Sequence, residues 1–505
     1  MIKIKMLRGE CWWGGKAPDG CSMPYDENSI ETVDIRKRIG ENDQSASMFI
    51  SSCGRYIWND NPFTAEFREG QIILSDENSS PFDIGEGFKT LKGAYMAVME
   101  KHFPFTGTLP HKLFFTAPQY NTWMELGTEQ TTENILRYAE GIIDNGLPAG
   151  IIMIDGGWQE DYGVFEFHRS KIPDPATLVY KLHKMGFKVI LWTSPIVSGA
   201  GVRFKELLSK GYFVKTKDDE VAIRHWWSGY SPMIDFTNPA AVEWMHSQLD
   251  SLVERYGIDG YKFDAGDADF YSDDDIIYQP MPARNQTTAF NIMGEKYKFN
   301  EFRSAHNSGG RPIVARLHDK CHSWDNTGLN SLIPNTTVQS LLGYAYGCPD
   351  MVGGGMYGTA DGIDEELFIR WAQTNALMPM MQISLAPWRV LSENSYRIVK
   401  KSIMLHKKFG GYIYDLAKES ANTGEPIFRC MEYQFPNEGF EHTKDQFMLG
   451  SEYMVAPVLQ KGITSREVKF PKGVWCDENG TVVSHGNETI TLDAPIDKLL
   501  YFKKS

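Results

Sequence analysis

Three rhythms of apolar and polar positions follow one another along the chain. Up to about residue 110, short alternating segments at 47–52, 55–58 and 71–74 are separated by Gly, Pro, Asn and Asp. Such period-two alternation between turn residues predicts a β-sandwich. From Lys112 onward, apolar strands alternate with helix-length amphipathic segments, the pattern of a parallel α/β architecture. Candidate strands lie at 113–117, 150–155, 188–193 and 260–264, followed by 312–316 and a segment ending near Asp350, with helices at 129–145 and 239–256 between them. After about Gly410, segments at 447–450, 453–459, 466–471 and 489–492 alternate again, as in an antiparallel sheet. The organisation expected is an N-terminal β-sandwich over 1–110, a (β/α)8 barrel over 111–410 and a C-terminal antiparallel β-domain over 411–505.

The run Gly260-Tyr-Lys-Phe-Asp-Ala-Gly-Asp267 is the most informative single stretch. In a strand, Lys262 and Asp264 share one face while Tyr261 and Phe263 take the other. A cation beside a carboxylate favours the ionised acid, so Asp264 is a candidate nucleophile. The same pattern also fits a buried structural ion pair. Polar or aromatic groups recur where the other candidate strands end, at Asp155, Trp192, Arg316 and Asp350, and a (β/α)8 barrel builds its site at that face.

Composition narrows the substrate. A net charge of −14 without clustered Lys or Arg argues against nucleic acid as a partner. The amino terminus lacks the apolar core of a signal peptide and no run is long enough to span a bilayer, so a cytoplasmic protein with no membrane partner is expected. Seven cysteines without a Cys-x-x-Cys pair point to reduced thiols rather than a zinc site. Aromatic content of 13%, including 13 Trp, suits either large-core packing or sugar stacking. In Glu10-Cys-Trp-Trp-Gly-Gly, Trp12 and Trp13 are candidates to present a flat ring to a ligand, and core packing is the equal alternative for each.

A glycosidic nucleophile needs a second carboxyl to protonate the leaving oxygen. The segment from Arg316 to Leu329 supplies Asp325, in Trp324-Asp-Asn, and Asp319. With these in place the chain resembles glycoside hydrolase family 31. The resemblance rests on Asp235-Phe-Thr-Asn-Pro, the strand around Asp264, Trp324-Asp-Asn, Pro349-Asp-Met-Val-Gly-Gly, Gly424-Glu-Pro-Ile-Phe-Arg, and Val455-Ala-Pro-Val-Leu followed by Thr464-Ser-Arg-Glu-Val. It implies a β-sandwich, a catalytic barrel and C-terminal β-domains, with a retaining α-glycosidase activity that uses no cofactor or metal. It places the nucleophile on Asp264 and the acid/base on Asp325, with Asp319 as the alternative. It also places Asp155 and Asp350 at the sugar and Arg316 near the acid/base.

Departures from the family pattern bear on the sugar. Lys262 stands where glucosidases carry Trp, Ala265-Gly266-Asp267 replaces Asn-Glu, Trp324 replaces the Gly before the acid/base, and Gln382-Ile-Ser384 replaces the Arg-x-His that grips glucose. These features resemble an α-galactosidase-like branch of the family, which implies terminal α-galactosides as substrates. Trp192, Lys262, Gln382 and Ser384 join the candidate substrate-binding set. Retention predicts carboxyl groups about 5–5.5 Å apart, with Asp264 ionised and the acid/base protonated. Rival readings are an α-glucosidase or other family activity, a non-catalytic sugar-binding protein, and a metal-dependent hydrolase. The last would use Asp267, Asp269 and Asp273 to Asp275, a run better read as a solvated acidic loop. Assembly into a homo-oligomer is left open.

Overall fold

Eight parallel strands form the centre of the computed structural model, which describes residues 1–36, 44–76, 80–103, 105–356 and 362–505. They are β1 Gln119–Asn121, β2 Ile151–Ile154, β3 Lys188–Thr193, β4 Gly260–Phe263, β5 Phe299–Phe302, β6 Ala315–Arg316, β7 Gly347–Cys348 and β8 Gln382–Ile383. Hydrogen bonding runs in the order β8-β1-β2-β3-β4-β5-β6-β7. A parallel bridge between Met351 and Gln382 draws the last seam together, so the barrel is nearly closed.

Register places the chemistry. Trp192, Lys262 and Glu301 are aligned across β3, β4 and β5. Because side chains alternate along a strand, the next positions on the same face are Asp264 and Arg303, just past the ends of β4 and β5. The opposite face carries Tyr261, Phe263 and Phe302, all fully buried, with Phe263 and Phe302 stacked at 4.7 Å.

Local signals start and stop the outer helices. Pro239–Tyr256 opens with the Asn238 side chain accepting from the Ala240 N–H and with Pro at its first turn, and it ends at Gly257 in the left-handed region with φ 76°. The expected strand at 113–117 is instead the short helix Leu113–Thr116. A four-residue apolar run has no period of its own, and Pro118 keeps Ala117 extended. The first barrel strand begins only after that proline. The helix Leu91–His102, capped by Thr90, likewise falls within the stretch expected to be β-structure.

A four-stranded and a five-stranded sheet make up the rest of the N-terminal region, and the strand Trp12–Lys16 pairs with Gln44–Ser51 of the larger one. Ala305–His306, which follows β5, joins the same strand in parallel. Gln44 Nε2 donates to the carbonyls of Arg303 at 2.7 Å and Arg316 at 2.9 Å, so the sandwich braces the chain where β5 and β6 end. At the other end of the chain, six strands from Phe428–Cys430 to Leu500–Lys504 form an antiparallel sheet, beside the pair Ser465–Phe470 and Glu488–Asp493. No helix among the described residues is long and apolar enough to cross a membrane.

Arg370, on the buried helix Glu365–Ala376, joins barrel to C-terminal sheets by donating to the carbonyls of Ile463, Ala494, Pro495 and Lys498. Arg370→Leu is expected to destabilise the protein by about 3 kcal/mol, because buried acceptors lose a charged donor. A urea midpoint equal to that of the unsubstituted protein would contradict this.

Candidate active site

The strand ends converge on a cavity of about 410 Å³. Its walls include Asp155 after β2, Trp192 of β3, Lys262 and Asp264 of the β4 segment, Arg303 after β5 and Asp319 after β6. Trp123, Tyr162, Trp227 and Ser228 supply the rest of the polar and aromatic wall, and Gly355 and Met356 lie beside Asp319. A concave site with aromatic walls and a few convergent polar groups is the usual form of a small-ligand site.

Asp264 is held from two sides. Trp192 Nε1 donates to its Oδ2 at 2.8 Å, and Arg303 Nε forms an ion pair with Oδ1 at 2.8 Å. Burial works to raise its pKa, but Arg303, Lys262 and Arg316, together with the indole N–H, hold it well below the usual carboxylate range. The cation directly beside Asp264 is therefore Arg303 and not Lys262. Lys262 Nζ pairs instead with Asp155 Oδ2 at 2.6 Å, both groups nearly closed to water. Burial works to lower the lysine, and Asp155 leads the charges that raise it, leaving it firmly protonated.

Arg316 is fully buried beneath the cavity and does not reach its wall. Its NH1 donates to Asp319 Oδ1 at 2.7 Å and to Asp350 Oδ1 at 3.0 Å. Asp350 also accepts from the Lys320 N–H at 2.8 Å, and its backbone has φ 81°, a conformation costly for a non-glycine residue. Asp350 thus anchors the Asp319 loop from below and is closed off from the cavity wall. Burial pushes its carboxyl upward, with Arg316 opposing and Asp319 reinforcing.

The two acid/base candidates separate cleanly. Asp319 lines the cavity with its side chain 31% exposed, while Asp264 is 13% exposed. A Cβ on Gly355 would come within 2.8 Å of Asp319 Oδ1, so glycine is what lets that loop close over the carboxyl. Asp325 lies outside the cavity and is exposed. Its Oδ1 accepts from the Thr327 hydroxyl at 2.6 Å, the Thr327 N–H at 2.8 Å and the Ser323 hydroxyl at 2.8 Å. Those Thr327 and Ser323 bonds lower its pKa, opposite to what a proton donor needs. Asp325 is a turn-forming residue.

Other candidates also lie elsewhere. Trp12 and Trp13 are buried in their strand, with the Arg55 guanidinium 5.3 Å from the Trp12 ring, so core packing claims both. Gln382 is closed inside the barrel, where its Nε2 donates to Glu301 Oε2 at 2.8 Å and Gln119 Oε1 at 3.0 Å. Ser384 Oγ accepts from the Met124 N–H at 2.8 Å and is also fully buried. The acidic run is only partly a solvated loop: Asp273 and Asp274 are exposed, whereas Asp275 pairs with Arg224 and Asp267 is buried against Arg303.

Arg303 and Trp227, like the wall residues Trp123, Thr128, Tyr162 and Ser228, carry no signal of their place in the sequence, and Asp267, read there as part of an acidic run, meets Arg303 behind the cavity. Arg303 follows Phe-Asn-Glu-Phe, a strand whose polar positions hide the expected apolar run. Trp227 sits at the tip of the hairpin Ile223–Trp226 and Gly229–Pro232, with the Arg303 guanidinium 4.9 Å from its ring.

Comparison with known proteins gives the family and the fold. The chain matches the glycosyl hydrolases family 31 TIM-barrel domain over residues 118–416 and the family 31 C-terminal domain over 424–505. It is 30% identical to the myogenesis-regulating glycosidase of Mus musculus over 80% of this chain and 58% of that protein. Alpha-glucosidase 2 of Bacillus thermoamyloliquefaciens is 25% identical over 81% of this chain and 54% of its own length. The chain thus spans little more than half the length of these relatives. In fold, it superposes on a family 31 dextranase of Flavobacterium johnsoniae with a TM-score of 0.85 and 21% identity, over 99% of this chain and 66% of that one. The chain belongs to glycoside hydrolase family 31.

Proposed function

We propose that the protein is a retaining, exo-acting α-glycosidase that removes terminal α-galactose from oligosaccharides or glycosides, with Asp264 as nucleophile and Asp319 as acid/base. The observation that carries this reading is the pair of carboxyls on one cavity, one held ionised by Arg303 and Trp192, the other on a partly open loop. An Asp264 oxygen attacks the anomeric carbon as the glycosidic C–O bond breaks, and Asp319 gives its proton to the leaving oxygen. Asp319 then takes a proton from water, the water oxygen bonds to the anomeric carbon, and the Asp264 carboxylate departs.

The choice of sugar rests on the floor of the cavity. Lys262 and Asp155 present a cation and a carboxylate where glucosidases of the family carry an indole, a pairing suited to a hydroxyl that both donates and accepts. The axial 4-hydroxyl of galactose is the proposed partner, and an unmatched buried polar group costs about 1–3 kcal/mol. An α-glucosidase is the alternative activity, as the name of Alpha-glucosidase 2 illustrates for a relative. A purely sugar-binding role fits less well, because binding alone gives no reason to keep an ionised acid beside a second carboxyl.

On a panel of nitrophenyl α-glycosides, Asp264→Asn is expected to lose about 1,000-fold in kcat/KM. Asp319→Asn should lose about 100-fold or more on substrates with poor leaving groups, and azide should restore turnover on activated ones by replacing water. Asp325→Asn should remain near the unsubstituted rate. Near-normal turnover in Asp264→Asn would exclude the nucleophile assignment, and loss in Asp325→Asn with retention in Asp319→Asn would reverse the acid/base.

Lys262→Met should reduce the ratio of galactoside to glucoside kcat/KM by about tenfold, the equivalent of one lost buried hydrogen bond. An unchanged ratio would remove the sugar assignment while leaving the mechanism intact.

A further inference from the structure

Arg303 is oriented by something other than the carboxylate it activates. Its contact with Asp264 is ionic, since Nε lies off any hydrogen-bond axis, whereas its NH2 donates a directed hydrogen bond to Asp267 Oδ2. Asp267 is itself fixed, because the Ser304 hydroxyl donates to its Oδ1. The turn that returns Asp267 to the site uses two left-handed residues, Ala265 at φ 54° and Gly266 at φ 71°. The Gly266 carbonyl is tied by the Thr287 hydroxyl at 2.9 Å.

We propose that Asp267 is a positioning residue for the glycosidic reaction, clamping the Arg303 guanidinium between itself and the Trp227 ring so that the cation stays against Asp264. The inference rests on the reading of Asp264 as nucleophile. Asp267 does not line the cavity and acts only through Arg303. The groups that face it are Arg303 and Ser304 beyond β5, Asp264 and Asp269 on its own turn, and Tyr271 and Arg284 at longer range.

The clamp has a pH signature. Burial, opposed by Arg303 and reinforced by Asp269, pushes the Asp267 carboxyl up to about 6. A raised acid is ionised above that value, so the clamp holds at neutral pH and weakens as pH falls through about 6. Asp264 stays ionised over the same interval, so its own titration does not produce that limb.

The test measures kcat/KM against pH on the nitrophenyl α-glycoside turned over fastest by the unsubstituted protein, alongside crystal structures. Asp267→Asn should lower the plateau by about 100-fold, the scale of a misplaced catalytic group, and abolish the limb near pH 6. Most of the loss should fall on kcat. In its crystal structure Arg303 should have moved away from Asp264. Adding Asp267→Asn to Arg303→Lys should change nothing further, because a lone ammonium cannot span both carboxylates. Should Asp267→Asn not fold, Ser304→Ala removes a donor to the same carboxylate and should move the limb to higher pH. An unmoved Arg303, a surviving limb or a full further loss in the double variant would overturn the proposal. If instead Asp264→Asn retains turnover, the nucleophile reading fails, and the Arg303 position in the crystal still decides whether Asp267 holds it.

Discussion

Charges removed from water must be paired, and that constraint organises this barrel. Lys262 and Arg316 are buried and Arg303 is mostly so, and the ion pairs of these three cations reach six carboxyls: Asp155, Asp264, Asp267, Asp319, Asp350 and Glu301. Removing any one cation would strand at least one carboxylate in a low-dielectric interior, at a cost of about 3–5 kcal/mol. Fold and site are therefore not separable here. The strand register that aligns Trp192, Lys262 and Glu301 also sets which acid meets which cation.

The imbalance between acids and bases bears on the proposed chemistry. Burial raises the carboxyls of Glu301, Asp267 and Asp350, whereas Asp264 is held ionised by its cations. Glycoside cleavage passes through a transition state with positive charge at the anomeric carbon. In the proposed reaction, a cavity in which Asp264 is already fixed in ionised form would be complementary to that charge before substrate arrives, so little reorganisation would be needed. Trp227 over Arg303 and the Gly355 approach to Asp319 form parts of its wall.

The parts of this arrangement that were readable in the sequence are those written in local pattern. Long apolar strands such as 188–193, helices with a proline start and a glycine stop, and the Lys-Phe-Asp motif all declare themselves within a few residues. What stayed hidden depends on distant partners. Asp319 and Asp325 are chemically alike and six positions apart, and only the turn bonds of Ser323 and Thr327 reveal that Asp325 faces outward. Arg303 is hidden because β5 carries Asn300 and Glu301 in place of the apolar run that marks a buried strand. Trp12 and Trp13 illustrate the converse, since a pair of tryptophans before glycines reads as a ligand platform until their strand is seen buried and paired beside Gln44–Ser51.

In the proposed reaction Asp264, held ionised by Arg303 and Trp192, becomes covalently attached to the sugar. The most direct measurement is trapping with a 5-fluoro-α-galactosyl fluoride, followed by intact mass spectrometry and peptide mapping. One 5-fluoroglycosyl adduct per chain is expected, carried as an ester on Asp264 and lost with time in water. A stable adduct on another residue, or hydrolysis of the reagent with no adduct while the α-anomer is inverted in the product, would contradict it.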